Sequence, residues 1–150
     1  ELDPDYALPF HNRGVCYVDL LQPEKAHKDF RRAHILTLDK SRPFFNRGVT
    51  YDAIGRSDLA LKDWSTAIEL NPNNASALER RGHLYAYLGE YERAIEDFDR
   101  VIQLRPGNST AFNSRGQSYA HLAEYERAIK DWGTAIELES DHELDGVGVR

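Results

Sequence analysis

The residue types that first invite a chemical reading are Glu79, His83 and His121. Glu79 stands one helical turn before His83, and His121 is near enough in the repeating pattern described below to approach it. Two imidazoles and a carboxylate are a minimal donor set for a weak metal site. The same three letters on a solvated face need no metal, and none is expected. Cys16 is the single cysteine, so neither a disulfide framework nor a cysteine metal site is available, and it reads as a small, partly packed residue. No glycine-rich phosphate loop, no HExxH and no nucleophile with a recognisable base occurs. The reading is therefore of a protein with no catalytic residue, no cofactor and no enzymatic activity.

A second set of charged residues recurs. Arg13, Arg47, Arg81 and Arg115 are each followed sixteen residues later by an aspartate: Asp29, Asp63, Asp97 and Asp131. An arginine row could bind anionic ligands. The matched aspartates would neutralise it, and a ladder of one ion pair per repeat, setting register more than adding stability, is the expectation.

What positions these groups is a unit of 34 residues, clearest from Asn73 to Pro106. In its first half Leu78, Gly82, Tyr85 and Leu88 share one helical face; in its second, Ala94, Ile95, Phe98, Val101 and Ile102 do. The Leu88–Tyr91 step between them is short enough to force an antiparallel hairpin. Sliding by 34 residues superposes Gly14, Gly48, Gly82 and Gly116, then Tyr17, Tyr51, Tyr85 and Tyr119. Ala26, Ala60, Ala94 and Ala128 align in the same frame, as do Phe30, Trp64, Phe98 and Trp132. A glycine inside a helix costs about 1 kcal/mol relative to alanine. Its recurrence implies close helix approach, with the aligned alanines as the expected opposing surface and the large rings filling the space between neighbouring pairs.

A fixed period of this length signals a helical solenoid. In these positions the chain resembles the tetratricopeptide repeat family, over nearly its whole length and in four copies. The fold that follows is all-α: a right-handed superhelical solenoid of four helix-turn-helix repeats at 7–40, 41–74, 75–108 and 109–141. Residues 1–6, with Leu2 and Pro4, read as the tail of a preceding repeat, and 142–150 as a loose tail. Repeat one departs most, with Leu21 in place of the turn glycine and Leu38 in place of the terminal proline. Asn74-Ala75-Ser76 and Asn108-Ser109-Thr110 match the glycosylation pattern, but lie in turns where asparagine is expected anyway.

Composition narrows the partners. The net charge of −6 argues against nucleic acid, no apolar run approaches a membrane span, and no secretory leader is seen, so a cytoplasmic setting is expected. The absence of methionine points to a segment of a longer protein.

The resemblance also implies a binding surface, because first helices of this family line a concave groove. Carried over residue by residue, it comprises Leu8, His11, Asn12, Val15 and Val18; Arg42, Phe45, Asn46, Val49 and Ala53; Ser76, Glu79, Arg80, His83 and Tyr87; and Thr110, Asn113, Ser114, Gln117 and His121. Family members that clamp the acidic tails of Hsp70 or Hsp90 use two lysines, two asparagines and an arginine. Only Asn46 and Arg80 match that set, too few for chaperone-tail binding. The leading expectation is a scaffold or adaptor segment holding a partner peptide or helix in the groove. An architectural segment self-associating through uncapped ends at Ile129, Trp132 and Ile136 is the alternative, and a targeting arm of a larger enzyme is a third reading.

Overall fold

The computed structural model describes residues 7–36 and 40–147, with side chains described for 9–33 and 40–140. The expectations placed on Leu2, Pro4 and Leu38, and on the side chain of Leu8, lie outside the described residues. Eight helices and no strand are found among those described: α1 (Ala7–Asp19), α2 (Pro23–Leu36), α3 (Arg42–Ala53), α4 (Ser57–Leu70), α5 (Ala75–Tyr87), α6 (Tyr91–Leu104), α7 (Ser109–His121) and α8 (Tyr125–Val147). The fold class is the all-α helical-repeat solenoid. The chain divides into two compact units, Glu1–Ala77 and Leu78–Arg150, with the division falling inside α5.

Each hairpin turn is built the same way. The amide of residue 21, 55, 89 or 123 donates three residues back, and the next amide donates five back, as in Gly89 N to Ala86 O at 3.1 Å and Glu90 N to Tyr85 O at 2.9 Å. This closes the last carbonyls of the first helix in a Schellman pattern, which needs a left-handed residue at the turn. Gly55 and Gly89 supply it at φ of 75° and 81°, and Leu21 and Ala123 are held there at 55° and 60°. Asn74 and Asn108 accept hydrogen bonds at Oδ1 from the amides of Ala77 and Ala111, both at 3.0 Å, which accounts for asparagine at those two helix starts.

The packing refines one expectation. A Cβ added to Gly48 would stand 2.5 Å from the Trp64 indole nitrogen, and one on Gly82 would stand 3.1 Å from the Phe98 ring. The side chains nearest the helical glycines are thus the aromatic row within the same hairpin, with the Ala128 carbonyl next at Gly116, 3.3 Å from an added Cβ. Phe30, Trp64 and Phe98 are fully buried there, with the aligned alanines buried beside them. A ring needs the space of a missing Cβ, whereas a methyl group does not.

The charged rows form the expected ladder. Both oxygens of each aspartate accept from one guanidinium: Arg13 to Asp29 at 2.6 and 2.8 Å, Arg47 to Asp63 at 2.5 and 2.6 Å, Arg81 to Asp97 at 2.7 and 2.8 Å, and Arg115 to Asp131 at 2.6 and 2.7 Å. The aspartates are buried, and Arg47 and Arg115 lie between two rings each, Phe44 with Tyr51 and Phe112 with Tyr119. Flat, weakly hydrated guanidinium suits such a slot as an ammonium does not.

The last helix differs from its sequence reading. The periodic pattern stops at Leu138, and a loose tail over 142–150 is what the sequence suggests, yet α8 continues to Val147. Pro72 and Pro106 follow α4 and α6, which end at Leu70 and Leu104. Ser140 occupies the corresponding place inside α8, where it keeps a backbone N–H and does not restrict the residue before it. Residues 148–150 lie outside the described ones.

Candidate functional site

Within the unit Leu78–Arg150, α5, α6 and α7 enclose a cleft of about 270 Å³. His83 and Tyr87 reach it from α5, four residues apart and so on one face. Ser114, Gln117, Ser118 and His121 line it from α7 at intervals of three and four, and Tyr91 enters from the first turn of α6.

Its aromatic groups are held by neighbours. The Tyr91 and His121 rings stack in parallel, 4.5 Å apart with 3° between planes. The His83 ring meets Phe98 edge-on at 5.1 Å, and Phe98 is fully buried, so that wall is anchored in the core. Burial lowers the basicity of His83; Arg80 acts in the same direction and Glu79 against both. At neutral pH the ring is therefore a neutral donor and acceptor. The Ser118 hydroxyl donates to the Ser114 carbonyl at 3.0 Å, deep in the floor. Tyr87, at 84% exposure, stands out into solvent.

Chemically, this is a wall of rings over a polar floor, with the Gln117 amide offering both a donor and an acceptor. Such an arrangement can bind; the hydroxyl in its floor is buried and already bonded within its own helix. Among the described residues no group of three or more His, Cys, Asp or Glu side chains is placed to hold a metal.

Of the groove residues read from sequence, the structure brings His83, Tyr87, Gln117, His121 and Ser114 together. Glu79 instead accepts from Asn108 Nδ2 at 3.4 Å, and Arg80 and Asn113, both exposed, are not among the lining side chains. In the unit Glu1–Ala77, Asn46 Nδ2 donates to His11 Nδ1 at 3.1 Å across α1 and α3, and the His11 ring tilts over Phe30. Its basicity is lowered by burial and by Arg42. Phe45 is half-buried, its carbonyl accepting from Trp64 Nε1 at 3.2 Å, and Val49 is half-buried too; Asn12, Val15 and Arg42 are exposed. On α8, Ile129 and Ile136 are 66% and 65% exposed, whereas Trp132 is half-buried with its ring against Gly116. Tyr91 and Ser118 were not singled out from sequence. Tyr91 is the first residue after the turn, a place where the repeat pattern carries no packing requirement, and that was the available signal.

Comparison with known proteins agrees with the helical-repeat fold. The tetratricopeptide repeat family model matches residues 41–74 and 75–108. Comparison with curated proteins gives no match. Among solved structures, the crystal structure of MamA is 25% identical with a TM-score of 0.80, spanning 95% of this chain and 83% of that one. A MamA from Desulfovibrio magneticus RS-1 is 20% identical, with a TM-score of 0.77 over 91% of this chain and 77% of that one, and shows the fold alone. YrrB, described as a TPR protein with an unusual peptide-binding site, is 28% identical with a TM-score of 0.73, spanning 92% of this chain and 71% of that one. The two central repeats, residues 41–108, thus match the tetratricopeptide repeat family, and the solved structures similar to the chain carry the same helical-repeat fold.

Proposed function

We propose that this chain is a non-enzymatic protein-interaction module that holds an extended segment of a partner against the cleft formed by His83, Tyr87, Tyr91, Gln117 and His121. The observation that carries the reading is the convergence of sequence-predicted groove residues from two first helices, α5 and α7, on one open volume of about 270 Å³. Main-chain amides of an extended peptide need paired donors and acceptors, which Gln117 and the imidazoles provide, and a peptide side chain needs an apolar wall, which the rings provide. The description of YrrB as peptide-binding supports the reading.

The test is selection of peptides from a displayed library on the full chain, followed by affinity measurement on two variants, Tyr87→Ala and Gln117→Ala. Both residues are exposed, so folding is retained. The reading expects each variant to bind roughly tenfold more weakly or worse, and fails if the selected peptides bind both variants as tightly as the parent.

A second reading rests on the exposed Ile129 and Ile136, which fit α8 for docking against another helix, in a second copy or a partner. Sedimentation at rising concentration separates the two: self-association abolished by Ile136→Asp favours docking through α8, and a concentration-independent size removes self-association.

A further inference from the structure

On the unit Glu1–Ala77, away from the groove residues, α1 and α2 border a cavity of about 450 Å³ lined by the cations Arg13, Lys28, Arg31 and Arg32, with His27 and Phe10 beside them. The carboxylate in that lining, Asp29, has both oxygens committed to Arg13. Residues 7–40 carry six Lys or Arg against four Asp or Glu, in a chain with 19 against 25. Positive charge is therefore gathered on one helix pair of an acidic protein. His27 reports the same field, since Arg47 Nη1 donates to its Nδ1 at 3.2 Å. A guanidinium only donates, so Nδ1 is unprotonated and Nε2 is the donor nitrogen of the ring. Burial first, then Arg47 and Arg31, lower its basicity, with Asp63 opposing.

We propose that this cavity is a recognition site for a phosphate group, carried on a phosphorylated peptide or free in solution. Guanidinium forks match phosphate oxygens bidentately, and a dianion gains most where several cations face one volume. The acidic remainder of the chain repels a long polyanion or an anionic bilayer. A phosphate is accordingly favoured over nucleic acid and over a membrane surface. The site is independent of the peptide cleft, so either can hold without the other.

The full chain is titrated with inorganic phosphate, with a phosphoserine peptide of otherwise uncharged sequence and with its unphosphorylated twin, at constant ionic strength, while the His27 ring resonances are followed by NMR. The phosphopeptide should shift these resonances saturably and raise the pH at which His27 titrates, inorganic phosphate should compete, and the twin should do nothing. Arg31→Gln/Arg32→Gln should weaken binding roughly tenfold or more with an unchanged melting curve, because both residues are exposed. A response to inorganic phosphate without one to the peptide assigns the site to the free anion. Equal binding by parent and double variant, no saturable response, or binding only to phosphatidylserine vesicles overturns the proposal.

Discussion

Leu21 and Ala123 occupy the left-handed turn position that Gly55 and Gly89 fill elsewhere. A side chain there costs about 1 to 2 kcal/mol, partly offset in the unfolded chain, where glycine is the more flexible residue. Leu21→Gly and Ala123→Gly should therefore each stabilise by about 0.5 to 1 kcal/mol in urea unfolding, whereas Gly89→Ala should destabilise. The helical glycines obey a different rule. At Gly48 an added methyl meets the Trp64 indole, which is tied to the Phe45 carbonyl and cannot yield without losing that bond. Gly48→Ala should cost about 1 to 3 kcal/mol. At Gly82 the neighbouring atoms stand at 3.1 to 3.2 Å and need move only slightly, so Gly82→Ala should cost clearly less in the same assay. Histidine supplies the pH dependence. Burial lowers the basicity of His11, His27 and His83 on folding, so near pH 6.5 the unfolded chain takes up protons that the folded chain refuses. Stability should be full above that pH and fall as acid is added. A further loss below about pH 4 is expected from Asp29, whose carboxyl Arg13 holds below its ordinary value. Melting curves at pH 7.5 and 5.5 should differ by a few degrees, and a higher melting temperature at pH 5.5 would contradict the account.

At the level of the helix pair, the Arg–Asp ladder is a matched set whose rungs differ in exposure. Arg47 is 19% exposed at its side chain and Arg13 is 56%. Asp63→Ala, which strands a largely buried guanidinium, should cost roughly 3 kcal/mol or more, and Asp29→Ala distinctly less, because water reaches Arg13. Calorimetric melting of the two variants checks the order. In α8, an added Cβ at Gly133 meets nothing within 4 Å, so Gly133→Ala should stabilise by up to about 1 kcal/mol through helix propensity alone. The helices themselves were legible because apolar spacing, turn glycines and terminal prolines coincide in the central repeats. The extent of α8 was not, since its stop was inferred from the end of the apolar pattern. A helix whose apolar face has run out continues until something breaks it, and no proline does so after Ser140. The partner of the helical glycines was read only in part, because spacing reveals which residues share a face and not which opposing side chain reaches furthest into it.

Across the whole chain, the repeat period and the ion-pair rows were readable from letters, because each recurs and recurrence reports packing. Binding surfaces do not recur. The lining was named only in part: His83, Tyr87, Gln117 and His121 were carried over from the resemblance to the repeat family, while Tyr91 became visible only through its stack on His121. The cationic cavity escaped because the net charge of −6 masks a positive helix pair; counting charge by repeat exposes it. The account centres on the cleft as the place where a partner peptide is held. Its most direct test is NMR of the full chain, following the His83 and His121 ring resonances as a library-selected peptide is added. The account predicts saturable shifts of both at one common dissociation constant, with His11 in the other unit unmoved. Shifts confined to His11, or saturable binding that leaves His83 and His121 unmoved, would contradict it.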